Sequence, residues 1–360
     1  LKYFDYNRVD GTSPGLQTTL TNELLPFSSL TTQFGYGIKS EKWSYAFTID
    51  HAFDPANTKS VSLTLFDETR SNDRVILSQV ENILSTAILR KDYRDYFNQR
   101  GIEANLNFKF TKNFSTILNI RAGKYTSLKN LEPWSLFSLD DFFRINPAVK
   151  EGDEILTSLT FRYDSRDVYF IESNYWDIEL MLEHEFDSYR FDGIHFLIER
   201  LQLSRGNQTL IAGLRGGFRN GTTAEQYLMD LGGIGTLRGY DFKYFTGTRM
   251  LMFDGNYLFN GDLLQKIPLQ FLPLYSSLTT GVFFDAGLTW FEKDKRMVFS
   301  QGPPPLQGIE TGRRFKDIRS NIGVSLLLLD GSGRIDIAKR LDRSNDTWKF
   351  TFRFRLFQFL

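Results

Sequence analysis

The stretch Ile102-Glu103-Ala104-Asn105-Leu106-Asn107-Phe108-Lys109-Phe110 decides the fold, together with its continuation Phe114-Ser115-Thr116-Ile117-Leu118-Asn119-Ile120-Arg121-Ala122 after a short Thr111-Lys112-Asn113 turn. Ile102, Ala104, Leu106, Phe108 and Phe110 share one parity, and Glu103, Asn105, Asn107 and Lys109 share the other. Side chains of a strand point alternately to opposite faces, so each segment has one greasy face and one wet face. Working outward, the same period recurs at the far end: Trp348, Phe350, Phe352, Phe354 and Leu356 face one way, and Lys349, Thr351, Arg353 and Arg355 the other.

A soluble antiparallel sheet with one solvated face alternates in the same way. Two features favour a membrane barrel. The pattern repeats about every 20 residues with no helical layer to cover a sheet, and the polar parity carries Arg and Lys between large aromatics. Strands are expected at 3–9, 15–22, 31–40, 43–52, 59–68, 100–110, 114–124, 153–165, 175–186, 191–204, 207–218, 249–259, 277–290, 317–329, 333–341 and 347–357. The count is sixteen, and closed single-chain antiparallel barrels have even counts. The fold class expected is therefore all-β: a 16-stranded antiparallel transmembrane β-barrel occupying residues 1–360 as one domain. Long connections at about 69–99, 125–152, 219–248 and 291–316 fall on one side, the outer side if the N-terminus is periplasmic.

Composition narrows the chemistry. Forty-three Lys plus Arg balance 43 Asp plus Glu, so there is no basic face for nucleic acid. The absence of Cys excludes disulfides, thiolate metal sites and Cys nucleophiles, and the three His (His51, His184, His195) lack zinc-ligand spacing. No apolar run approaches the ~18 residues of a membrane helix. Leu1-Lys2-Tyr3-Phe4-Asp5 is no signal peptide, so an exported chain must have lost its targeting segment before position 1. One helix is expected within 69–99, with Ile76, Leu77, Val80, Ile83, Leu84, Ala87 and Ile88 on one face and N-cap oxygens from Ser71, Asn72 or Asp73. It would lie over the barrel rim or dock a partner or lid.

The connection before the twelfth strand reads Leu231-Gly232-Gly233-Ile234-Gly235-Thr236-Leu237-Arg238-Gly239-Tyr240. Four glycines in nine residues make poor strand and suit a loop folded tightly into a cavity. No Lys-Ser or Lys-Thr follows, so it is not a phosphate-binding loop. Leu237-Arg238-Gly239-Tyr240 resembles the (V/L)RG(F/Y) motif of the BamA/TamA/FhaC superfamily of outer-membrane barrels, and Asp164-Ser165-Arg166-Asp167 and Phe284-Asp285-Ala286-Gly287 resemble its DxRD and FxDxG segments. The motifs occur in the family's order and span the chain. The resemblance implies a bacterial outer-membrane location and a sixth extracellular loop (219–248) that folds inward and locks on the lumen wall. By parity Asp285, Asp254 and Asn256 point into the lumen, so Arg238 would meet Asp285 as a charge-assisted pair. Many relatives carry a Glu at what looks like Asn256, and Asp254, one pleat away, is the candidate substitute.

The resemblance further implies a role in inserting, translocating or displaying protein as a surface-antigen-type barrel. A weak lateral seam would lie between strand one (Tyr3, Asp5, Asn7, Val9) and strand sixteen (Trp348, Phe350, Phe352, Phe354). Partners expected are outer-membrane lipid or lipopolysaccharide and a protein client or partner subunit; no cofactor, metal or catalytic set is expected, and the oligomeric state is open. Leu360 follows Phe359 where the family usually ends in an aromatic, and no POTRA repeats are expected within residues 1–360. Asn7-Arg8-Val9-Asp10-Gly11 looks like the opening of barrels joined to patatin-like or metallophosphoesterase domains. Two other functions compete: a passive sixteen-stranded porin, or a membrane anchor for a separate hydrolase. Catalysis within the chain would have to use His184 or His195 beside Glu183, Glu185 or Glu199, and no nucleophile elbow accompanies them.

Overall fold

In the computed structural model the described residues are 3–21, 26–75, 77–137, 142–166, 174–204, 208–259, 278–292, 309, 311–328, 333–342 and 347–354. They form β1 (Tyr3–Asn7), β2 (Gly11–Thr21), β3 (Ser28–Gly37), β4 (Lys42–Ala52), β5 (Lys59–Arg70), α1 (Gln79–Leu89), β6 (Phe97–Lys109), β7 (Phe114–Ser127) and β8 (Gly152–Asp164). There follow β9 (Tyr175–Glu185), β10 (Asp192–Leu203), β11 (Thr209–Asn220), β12 (Met229–Leu231), β13 (Phe245–Gly247), β14 (Arg249–Leu258), β15 (Thr279–Trp290), β16 (Arg319–Leu328), β17 (Gly333–Arg340) and β18 (Lys349–Phe354).

Sixteen of these strands make one sheet in chain order, from β1 to β11 and then β14 to β18, while β12 and β13 pair separately inside the β11–β14 connection. The period-two segments of the sequence and the sixteen sheet strands coincide one to one. Their burial inverts that of a soluble sheet. Leu16, Leu20, Phe34, Ile49, Leu63, Leu65, Ile102, Phe253, Val282 and Phe284 are exposed, whereas Gln99, Glu154, Glu183, Asp285, Asn321, Ser325 and Asp336 are buried. Large apolar side chains in contiguous outward rows need an apolar medium.

Contacts divide the chain into two units. The first comprises Leu1–Arg162, Met181–Ile194 and Arg219–Tyr227. Its buried clusters are Phe97, Tyr125, Leu156, Tyr189, Phe191, Ala224 and Tyr227, and Val9 with Tyr96 and Leu128. The second comprises Tyr163–Leu180, His195–Phe218 and Leu228–Leu360, with Leu231, Leu237, Tyr240, Phe245 and Met252 at its centre.

Several expectations need correction. β1 stops at Asn7 rather than residue 9 because the Asn7 carboxamide accepts from the Val9 and Asp10 amides and turns the chain. β2 therefore begins at Gly11, not 15, and Pro14 is tolerated opposite Phe4 beside a strand that ends the sheet order. The helix is capped by Ser78, with Glu81 completing a capping box, rather than by Ser71, Asn72 or Asp73. Its fully buried residues are Glu81, Asn82 and Thr86, while Ile83, Leu84, Ala87 and Ile88 are half-buried, so the polar side packs more completely than the apolar one. Long connections also occur at both ends: β14 and β15 are joined by residues 259–278, most of which lie outside the described residues.

Leu65 lies in mid-strand between Phe47 and Ile102 on the outward rows. If that row meets acyl chains, Leu65→Arg should destabilise the protein by about 2–4 kcal/mol in vesicles. On a water-exposed row the same change stays within about 0.5 kcal/mol. Denaturant unfolding of reconstituted protein measures the difference, and a near-neutral result would contradict a lipid-facing row.

Candidate functional site

The β11–β14 connection is built to reach inward. Met229–Leu231 pairs with Phe245–Gly247, which narrows the base of the loop, and Lys243 bridges Asp230 at 3.1 Å. Within the loop, Gly233 stands at φ 78°, a left-handed conformation, and donates its amide to the Leu237 carbonyl at 2.9 Å. That turn projects Leu237-Arg238-Gly239-Tyr240. Leu237 is buried in the central apolar cluster. Gly239 donates its amide to Asn321 Oδ1 at 3.1 Å, and a Cβ there would lie 2.8 Å from the Asn321 Cβ, so only glycine fits without a shift.

Arg238, 7% exposed, meets Asp285, 0% exposed, as a bidentate fork: Nη2 to Oδ1 at 2.6 Å and Nε to Oδ2 at 2.9 Å. Asp285 also accepts from the Arg238 amide at 3.3 Å and from Asn321 Nδ2 at 2.8 Å. The guanidinium stacks 3.5 Å from the centre of the Phe283 ring, two residues before its carboxylate partner. Its Nη1 donates to Asn256 Oδ1 at 3.0 Å. Asn256 is thus the β14 residue that reaches Arg238. Asp254 does not take the place of a second acid: it is paired with Arg215 at 2.9 Å. The reason is register. Asp254 stands directly opposite Asp285, and two facing carboxylates are each drawn toward a different arginine.

The second acid is Asp336 of β17, 3.7 Å from Arg238 Nη1, which also binds Arg334 and accepts from Ser325 at 2.5 Å. Arg334 Nη2 shares Asn256 Oδ1 at 2.9 Å. Asn321, Arg334 and Asp336 were not singled out in the sequence, although outward Ile322 and Val324 fix Asn321 and Ser325 on the interior parity. Tyr240 completes the tip, donating to the Ser320 carbonyl and to Asp342 while Arg340 stacks on its ring at 4.2 Å.

The start of the same connection is fastened within the first unit. Tyr227 donates to Glu154, which also receives Tyr125 at 3.2 Å, Gln99 at 2.9 Å and the Arg121 fork at 2.8 and 3.1 Å. Arg219 binds Glu183 at 2.5 Å and the Tyr227 carbonyl at 2.5 Å.

The remaining candidate residues are placed elsewhere. Arg166 closes on Asp164 at 2.6 Å and on Asp177 at 3.0 Å, while Asp167 lies outside the described residues. Of the seam residues, Asn7 binds Asp5 at 2.9 Å, and Val9 lies in the turn, buried with Tyr96 and Leu128. Tyr3 pairs with Gly15 through the backbone, and Phe354 with Gly333. Phe350 and Phe352 are exposed opposite Ile337 and Ile335, with exposed Trp348 just before β18. β1 and β18 are the two ends of the strand order. His184 is bonded to Asp192 at 2.7 Å.

A family model described as "Family of unknown function (DUF5686) C-terminal domain" matches residues 1–291. No curated protein matches the chain in sequence. Among solved structures, the chain is similar to BamA from Haemophilus ducreyi lacking POTRA domains 1–3, at 14% identity and TM-score 0.59, over 97% of this chain and 69% of that one. It is similar also to CdiB from Acinetobacter baumannii (12% identity, TM-score 0.44, 97% of this chain, 57% of that one) and CdiB from Escherichia coli (10%, 0.47, 97%, 61%). The likeness to BamA shows the fold: a sixteen-stranded transmembrane β-barrel of the outer-membrane type, in agreement with the motif resemblance.

Removing Arg238 leaves Asp285 buried with half its partners, which in comparable cases is worth about 3–5 kcal/mol. Arg238→Ala and Asp285→Ala should raise protease sensitivity within 219–248 and lower folded yield, and Arg238→Lys should rescue little because a lysine cannot form the fork. Unchanged proteolysis in both alanine variants would remove the pairing from the account. Burial first, then Tyr125 and Glu154 beside Tyr227 and Asp342 beside Tyr240, hold both phenols above the ordinary tyrosine value of 10.0. A raised pKa contributes stability in full below the unfolded value and loses it as pH climbs beyond. Loop cleavage should therefore increase above about pH 10, and a Tyr227→Phe/Tyr240→Phe variant should show a flatter alkaline profile.

Proposed function

Because the chain belongs to the family of the DUF5686 C-terminal domain and has the BamA-type barrel fold, we propose that it mediates insertion, translocation or surface display of protein in the bacterial outer membrane. The observation that carries this reading is the buried Arg238–Asp285 fork at 2.6 and 2.9 Å. A passive pore keeps its interior carboxylates in contact with permeating water and ions. Here Asp285, Asn321 and Asn256 are spent on holding one loop, so the interior is organised around a fixed element rather than a passage.

The ends of the strand order supply the second ingredient. β1 has five residues, against ten to fourteen in most interior strands, and carries Asp5 and Asn7 on its inner parity. A short first strand at an end of the order offers backbone donors and acceptors to an incoming strand, as in β-augmentation. Exposed Phe350 and Phe352 on β18 present an apolar flank to lipid and to a client's outward face alike. Lipid or lipopolysaccharide is the surrounding partner in this reading, and an unfolded barrel segment is the client.

The test is catalysed folding. An eight-stranded barrel diluted from urea should fold several-fold faster into vesicles that contain the protein, and Arg238→Ala should abolish most of the gain. Absence of acceleration, together with a large, steady single-channel conductance equal in wild type and Arg238→Ala, would assign a passive channel instead.

A further inference from the structure

We propose that α1 and the 131–137 segment form a membrane-embedded collar at the end of the first hairpin, with lipid acyl chains as the occupant of the groove beneath them. The inference rests on an inversion of burial outside the barrel wall. Every fully buried side chain of α1 is polar (Glu81, Asn82, Thr86), while Val80 is exposed and Ile83, Leu84, Ala87 and Ile88 are half-buried. Among the described residues of that stripe only Leu77, just ahead of the helix, is a buried apolar one. In 131–137 the buried residues are Glu132 and Ser135, and Leu131, Pro133, Trp134 (55%), Leu136 (61%) and Phe137 are exposed. An interfacial helix in water does the reverse.

Most of the polar atoms are bonded from within, as an apolar medium requires. Asn82 donates to Asp92 at 3.0 Å and to Tyr96 at 2.9 Å, and Thr86 donates to the Asn82 carbonyl at 2.6 Å. The Ala87 and Ile88 carbonyls, which a helix end leaves without intrahelical donors, accept the Leu136 and Phe137 amides at 2.7 and 2.8 Å. Glu132 accepts the Trp134 amide at 2.9 Å, and Ser135 accepts from Arg90 at 3.0 Å.

Continuity with the barrel's outward face commits the occupant. A groove of about 500 Å³ joins Ile83, Ala87 and Trp134 to Phe4, Tyr6 and Thr12 of the first hairpin. Tyr6 and Phe4 stand opposite Thr12 and Pro14, and the outward row continues through exposed Leu16 and Leu20. The groove is lined mainly by apolar side chains that continue the outward row of the barrel wall onto the collar, with Thr12, Glu132 and Lys39 as its polar members, and Lys39 is the cation available to a lipid headgroup. A hydrophobic face with this geometry suits the acyl–headgroup boundary.

The chain has no cysteine, so single reporters can be placed without background. Nitroxide-labelled Leu136→Cys and Val80→Cys, in the full chain in phosphatidylethanolamine/phosphatidylglycerol vesicles, should be several-fold more accessible to oxygen than to a nickel chelate. Exposed Lys129→Cys should show the opposite ratio. Nickel-dominated collisions at positions 80 and 136 would overturn the proposal by placing the collar in water. Inaccessibility to both reagents would overturn it by placing a second copy or a protein partner there. The readout is independent of any client, so it stands or falls apart from the folding assay.

Discussion

A carboxylate with no exposed surface has to be partnered, and Asp285 is partnered by the one arginine at the tip of a loop. The rest of the second unit arranges itself around that requirement. Asn256 on β14, Asn321 on β16 and Asp336 on β17 each supply a polar atom to Arg238 or to its partner, so three strands besides β15 are committed to the same few ångströms. The residues on either side of Arg238 and Gly239, Leu237 and Tyr240, are buried in an apolar cluster with Leu231, Phe245 and Met252, and Phe283 covers the guanidinium. Low local dielectric strengthens such a network and makes each missing member expensive.

The first unit repeats the logic with other residues. Arg8 has no exposed surface and is held by Asp92 at 3.2 Å, Asp95 at 3.2 Å and Asn146 at 3.1 Å. Glu154 gathers two tyrosines, a glutamine and an arginine. Polar interiors of this kind follow from the outward placement of Leu, Ile and Phe: with most of the oily side chains facing out, the inside is held by hydrogen bonds and charge around small apolar clusters.

The strands were legible because period-two alternation is a local signal, and from Ile102 to Ala122 it needs no knowledge of neighbours. The lock pair was legible for a different reason: motif resemblance named Arg238, and parity along Val282, Phe284 and Ala286 pointed Asp285 inward. What escaped depends on lateral register. Nothing along the chain tells that Asp254 faces Asp285 and turns to Arg215, or that Asp336, fifty-one residues beyond Asp285, arrives beside Arg238. The three-residue β12 and β13 are too short to carry a period. The helix was legible by its spacing, but the burial of Glu81, Asn82 and Thr86 was not, because it depends on Asp92, Tyr96 and the 131–137 segment reaching the helix from elsewhere in the chain.

The Arg8 anchorage has a mechanical corollary. The tip of the first hairpin is riveted beneath two loops: the Arg8 carbonyl accepts the Leu131 and Glu132 amides at 2.9 and 3.0 Å while its guanidinium grips residues 92, 95 and 146. A strand fixed at that end cannot unzip from it. In the reading proposed above, a client strand would therefore meet β1 held at its Arg8 end, with the Tyr3 end the one without such an anchorage among the described residues.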